Sequence, residues 1–329
     1  MVAGAAISTD LSDSEWLYAL REIGEREGYY TSLGDDHAAV FIEQSHDVLF
    51  VSFETLVTIR SVSDTGMPLA FDLAARKGWS HLTLIATKQD WFRDRRLFSY
   101  FDGLVDHGFF ENFDRVIFYG AGMCGYAAAA FSVAAPGSTA LLVSPQATLD
   151  RRLTGWDDRF PSTRRLEFRS RYGYAPDMIE AAEAAYVLFD PEETEDAMHA
   201  SLFRGPNVHH FRYRRGRAGA IESDLRTLSL ISKLSDHASR GTLDFATLAH
   251  EMRKRRRHVP YLRALLSRVL AEDRPRLTAR LCRAVLAEQP IPRFKHHLEA
   301  AERRIAAGNG HNHEPVDDED ETADSPQAS

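Results

Sequence analysis

The sequence predicts an α/β protein: a mainly parallel sheet covered by helices on both faces, with a lid insertion and a C-terminal helical appendage. Three observations carry this. Short β-rich runs alternate with helical patterns of roughly 10 to 20 residues, the signature of βαβ units. Residues 150–183 break that rhythm between two strands. After Gly241 the strands stop, and helical stretches punctuated by Pro260, Pro275 and Pro290 take over.

The elements follow in order. "LSDSEWLYALREIGEREGYY" offers Ser12 or Asp13 as an N-cap and places Trp16, Leu17, Leu20 and Ile23 at helical spacing before Gly28, so residues 1–30 are read as an N-terminal helix. Strands are expected at 47–54, 80–87, 114–120, 138–145, 184–191 and 207–214, within a domain spanning 31–242. The stretch 150–183 interleaves Trp156, Phe160, Tyr172 and Tyr174 with seven arginines and reads as a lid over the sheet edge. A last sheet-associated helix is expected near "ESDLRTLSLISKLSDHAS". Residues 243–306 form the helical appendage, and the acidic stretch 307–329 is too poor in apolar residues to fold.

Composition narrows the function classes. At 44% hydrophobic and 27% charged, the 329-residue chain falls in the ordinary range of globular proteins. The expected location is the cytoplasm: no apolar run is long enough for a membrane span, no secretion signal is legible at the start, and the only cysteines are Cys124 and Cys282. Two cysteines make neither a disulfide framework nor a multi-cysteine zinc site, so no metal and no cofactor are expected. Of the formal charge of −8, seven carboxylates lie in the tail "EPVDDEDETADSPQAS", which leaves the body near neutral.

The most informative stretch is "FYGAGMCGYAAAAF", residues 118–131. An apolar strand, a small-residue turn and an alanine-rich helix form the setting in which hydrolases expose a nucleophile on the pattern small-x-nucleophile-x-small. With Gly120 as the first small residue, Gly122 takes the nucleophile position and Cys124 the second small one. Together with "VLFVSFET", "LLVSPQATLD" and "YVLFDPEETEDAMHA", this turn resembles the α/β-hydrolase superfamily over about residues 45–236. The resemblance implies a nucleophile at Gly122, an acid at Asp190, and backbone N–H donors at Met123 and after Phe53. It also implies a histidine after the last strand, but "RYRRGRAGAIESDL" has none. Sequences similar to this one are also labelled phosphoadenosine phosphosulfate reductase, yet neither the Ser-Gly-Gly-x-Asp-Ser loop nor the Glu-Cys-Gly-x-His motif of that family is present.

Two readings follow. The first is a degenerate, non-catalytic member of that superfamily that binds a small anionic or acyl ligand, or a protein partner through its C-terminal helices. Its binding residues would be Phe53, Glu54, Gly122, Met123, Trp156, Arg164 and Arg165, with Arg151 and Arg152 suiting an anion. The second is a hydrolase or acyltransferase using Cys124 with Asp190 and His199, since a thiol at a helix N-terminus is a competent nucleophile. Against it, Cys124 lies two residues past the expected exit point, and a small cysteine in a tight helix–strand contact is ordinary core. The glycines at 120, 122 and 125 fit G-x-G-x-x-G, but no acidic residue ends the next strand as dinucleotide binding requires. "HNH" at 311–313, with His296 and His297 upstream, lacks a fixed geometry for a metal. The basic runs 253–257 and 212–217 read as solvated faces rather than a nucleic-acid surface, because the stacking aromatics lie in the lid.

Overall fold

The computed structural model describes residues 6–217 and 219–309. Eight strands form one sheet: β1 (Tyr29–Ser32), β2 (His37–Ile42), β3 (Val48–Thr55), β4 (Ser80–Ala86), β5 (Arg115–Ala121), β6 (Thr139–Val143), β7 (Ala184–Phe189) and β8 (Val208–Arg212). Their order is β1-β2-β4-β3-β5-β6-β7-β8. Strand β2 runs antiparallel to both neighbours and β3 to β8 are mutually parallel. The expected fold class is therefore the one observed. Six strands lie where the alternation places them. The antiparallel edge pair β1 and β2 was not foreseen: β2, "HAAVFI", is buried at every position and shows no two-residue alternation.

The first compact unit ends at His258. Its helices are α1 (Asp13–Glu27), α2 (Leu56–Val62), α3 (Leu69–Lys77), α4 (Arg95–Asp106), α5 (Met123–Phe131), α6 (Arg151–Thr154), α7 (Ala175–Met178), α8 (Thr194–Leu202), α9 (Ile221–Thr227), α10 (Leu230–Ser239) and α11 (Phe245–Met252). A capping box opens α1: the Glu15 N–H donates to Ser12 Oγ, and the Ser12 N–H donates to the Glu15 carboxylate at 2.8 Å. Two clusters of apolar side chains surround the elements that matter below. One joins α1, α2 and α3 through Trp16, Leu20, Ile59 and Phe71. The larger contains α4, α5 and the lid around Phe53, Phe101, Phe131 and Tyr172. The alanines 127–130 of α5 are fully buried, so this helix lies close against the sheet.

Two boundaries differ from expectation. The stretch around 222–239 is two helices, broken at Ser229, whose φ is +53°. Helix α11, expected with the appendage, packs in the first unit: the Tyr186 hydroxyl donates to the Leu243 carbonyl, and the Phe245 and Phe211 ring centroids are 6.3 Å apart. The basic run continues α11 as a 3₁₀ turn, Arg253–Arg257.

The second unit begins at Val259 and contains α12 (Val259–Ala271), α13 (Pro275–Glu288) and α14 (Pro292–Asn309). Pro275 sits in the first turn of α13, where its missing N–H costs nothing. Leu262, Leu266, Cys282, Val285 and Phe294 are buried in it, and Arg283 pairs with Glu302 at 2.8 Å. The acidic tail and the 311–313 histidines lie outside the described residues. Among the described residues no helix is long and apolar enough to cross a membrane.

Candidate functional site around Gly122

Strand β5 ends at Ala121 and α5 begins at Met123, so the whole reversal falls on Gly122, at φ +56° and ψ −123°. The Gly122 N–H donates to the Val143 carbonyl at 2.8 Å and its own carbonyl accepts from the Tyr126 N–H at 3.0 Å. Space around the turn is distributed unevenly. A Cβ on Gly120 would stand 2.1 Å from the Cys124 carbonyl oxygen, so only glycine fits where the strand meets the helix. A Cβ on Gly122 would have no neighbour within 4 Å. The turn is thus shaped to project a side chain into open space, and the sequence supplies none.

Gly122 lines a cavity of about 370 Å³. Phe53, Glu54, Gly122, Met123 and Cys124 line it, as do Thr58, Trp91, Phe160, Glu222 and Arg226. The expected binding residues Phe53, Glu54, Gly122 and Met123 are therefore brought together. Met123 is the first residue of α5, so its backbone N–H has no intrahelical acceptor. Two expected ligands are placed elsewhere. The Trp156 ring stands 4.7 Å from His199, and Arg165 lines a different cavity of about 310 Å³ within the lid, together with Arg151. The Arg164 side chain lies outside what the structure describes. Arg152 is held by Asp150 at 2.5 Å. Among the described side chains no lid arginine lines the cavity above Gly122.

The charged floor of the cavity comes from residues the sequence reading missed. Arg226 donates through Nε and Nη2 to Glu222 Oε1 at 3.0 and 2.7 Å, and Nη2 lies 3.6 Å from Glu54 Oε2. The Tyr119 hydroxyl donates to the same Glu222 oxygen at 3.2 Å. Glu54 accepts from the Leu69 N–H at 3.0 Å and from Ser52 Oγ at 3.2 Å. Burial raises the Glu54 carboxyl despite the opposing pull of Arg226. Glu222 and Arg226 stand four apart on α9 at the spacing of a helical ion pair; Glu222 falls in the segment where a histidine was sought, and Arg226 directly follows it.

The remaining candidates separate. Cys124 lines the cavity but is only 6% exposed, and burial, reinforced by the carboxylates of Glu222 and Glu54, pushes its thiol well above the usual range. Asp190 follows β7 and accepts from the Glu192 N–H at 3.0 Å. It lines a neighbouring cavity of about 230 Å³ that also touches Gly122 and Glu222 and includes Glu193 and Asp196. His199 is fully buried with both ring nitrogens engaged: the Ala147 N–H donates to Nδ1 at 3.2 Å, and Nε2–H donates to Asp157 Oδ2 at 2.9 Å. Burial lowers the His199 pKa against the pull of Asp157. Burial also raises Asp157, but hydrogen bonds from Arg159 and His199 outweigh it and leave the carboxyl below its usual range. His199 therefore fastens the lid segment to α8 and lines neither cavity at Gly122. Among the described residues no group of three or more histidine, cysteine or acidic side chains is placed to hold a metal ion.

No family model and no curated protein matches the sequence. Solved structures do resemble it. An esterase from Pyrobaculum calidifontis is 14% identical with a TM-score of 0.44, over 72% of this chain and 96% of that one. A capsule O-acetyltransferase of Neisseria meningitidis serogroup A is 10% identical with a TM-score of 0.40, over 60% and 92%. A glycosylation-associated protein complex from Streptococcus agalactiae is 12% identical with a TM-score of 0.42, over 61% of this chain and only 44% of that one. What the site can do is decided by its own residues.

Proposed function

We propose that this protein binds a small ligand in the cavity above Gly122 and has no catalytic nucleophile there. One observation carries the reading: the turn holds φ +56° and ψ −123° with open space where a Cβ would project, yet the residue is glycine. Backbone donors and a walled cavity survive that omission, and they suffice for binding. Covalent catalysis does not survive it, because no hydroxyl or thiol projects from the turn.

Cys124 supports a second reading, since it does line the cavity. Its burial and acidic neighbours keep the thiol protonated, whereas a cysteine nucleophile needs a thiolate and a cationic or polar setting. The test is hydrolysis of short-chain p-nitrophenyl esters and thioesters by the wild type and Cys124→Ala. The expected result is no turnover above background in either. Turnover that vanishes in Cys124→Ala makes the cysteine the nucleophile and overturns the binding reading.

A further inference from the structure

The cavity floor specifies more than an empty space. Among the described residues the hydrogen bonds to Glu222 fall on Oε1, from Tyr119 and twice from Arg226, while the carboxylate lines the cavity. Its Oε2 is an acceptor for a ligand's O–H or N–H. Met123 contributes a backbone donor from the start of α5, and Thr58, whose hydroxyl accepts from Thr55 at 2.8 Å, keeps its own O–H to donate. Donors and acceptors therefore stand around one space, and a hydroxyl group, which is both, answers them together.

Charge points the same way. Arg226 is shared between Glu222 and Glu54, and Lys88 at the cavity wall is paired with Asp36. Among the described residues lining the cavity no cation is left unpaired for a carboxylate or phosphate; Arg226 answers Glu222 at 2.7 Å, and burial raises the Glu54 carboxyl, which limits the negative charge open to a ligand ammonium. The rest of the wall combines uncharged polar side chains (Thr55, Thr58, Thr87, Gln89, Gln146) with apolar ones (Val57, Ala121, Met123) and aromatic rings, with Phe160 packed edge-on against Trp91 at 4.7 Å. Aromatic rings cover the C–H faces of a ring whose edges carry hydroxyls. Trp91 and Phe92 are held at φ +54°, a left-handed conformation that costs roughly 1 to 2 kcal/mol per residue and persists because the packing around these buried rings imposes it.

We infer that the cavity above Gly122 takes a neutral, hydroxyl-rich ligand of about the size of one or two sugar rings, held by Glu222, Thr58 and the Met123 N–H against Trp91 and Phe160. The inference rests on the cavity being a binding site, and it does not require that the protein lack hydrolytic activity.

The test is saturation-transfer NMR on the full chain with methyl glucoside, methyl mannoside, N-acetylglucosamine, maltose and cellobiose, each at about 10 mM to detect millimolar affinity. Butyrate and benzylamine serve as anionic and cationic comparisons. Val57→Trp narrows the mouth at a residue that is 70% exposed, so the fold is unaffected, and Thr58→Val removes a single hydroxyl. At least one neutral sugar is expected to give a signal that falls about tenfold or more in Val57→Trp and severalfold in Thr58→Val. Signal from butyrate or benzylamine alone, from no sugar at all, or from a sugar indifferent to Val57→Trp overturns the inference. Ester turnover by the wild type alongside intact sugar binding would remove the non-catalytic reading and leave this one standing.

Discussion

The turn at Gly122 and the cluster around His199 are opposites. Gly122 has an exposed projection direction, a cavity and nearby backbone donors, but no reactive atom. His199, Asp157 and Arg159 have the residue types of acid–base chemistry, but both imidazole nitrogens are bonded, and the Asp157 side chain is fully buried between His199 and Arg159. Residue type alone thus marks the wrong place as reactive. What matters is whether a group has an uncommitted lone pair or proton and room beside it.

Substitutions can break or sharpen that contrast. Gly120→Ala has the largest expected effect, about 3 kcal/mol of destabilisation, because the new Cβ must displace the Cys124 carbonyl 2.1 Å away. Thermal unfolding followed by circular dichroism reads it. The equivalent change two residues later, Gly122→Ala, meets no neighbour within 4 Å, and only the positive-φ backbone at φ +56° and ψ −123° opposes it, at about 1 to 3 kcal/mol. Equal losses at the two positions would mean the open direction at Gly122 is not there.

Acid should act on the buried imidazoles next. Burial lowers His81 to about 3 and lowers His199 as well. The unfolded chain takes up these protons near pH 6.5, before the native state does, so stability is full above that pH and falls as pH drops through the window toward each folded value. The slope from His81 is about 1.4 kcal/mol per pH unit. Urea midpoints measured between pH 7 and 5 should fall, and His81→Phe should flatten the decline. In the lid, Asp157→Ala leaves the buried His199 Nε2–H without its acceptor and costs about 2 kcal/mol, with limited proteolysis expected to enter residues 150–183 first.

Much of this was legible in the sequence, for identifiable reasons. The parallel strands β3 to β8 announced themselves because helices separate them, and the Gly120–Cys124 turn because small residues there have a steric cause. Strand β2 was hidden by its uniform burial, and the split between α9 and α10 by a serine in a left-handed conformation that no composition signals. Tyr119, Glu222 and Arg226 stayed hidden for another reason. Tyr119 lies 103 residues from the Glu222–Arg226 pair, and only the return of α9 to the end of β5 makes one network of them. Of the lid aromatics Trp156 was expected among the binding residues, whereas Phe160 reaches the cavity and Trp156 packs on His199.

The most direct measurement of the central claim is cysteine labelling of the native protein by iodoacetamide, counted by intact mass, in the wild type and in Gly122→Cys. Cys124 and Cys282 are buried with thiols pushed up by that burial, to about 11 for Cys282. The expected result is no label on the wild type and one label on Gly122→Cys, located at position 122. Rapid labelling of Cys124 in the wild type, or a Gly122→Cys variant that stays unlabelled while folded, would contradict the claim that an open projection direction survives at Gly122 without a nucleophile to use it.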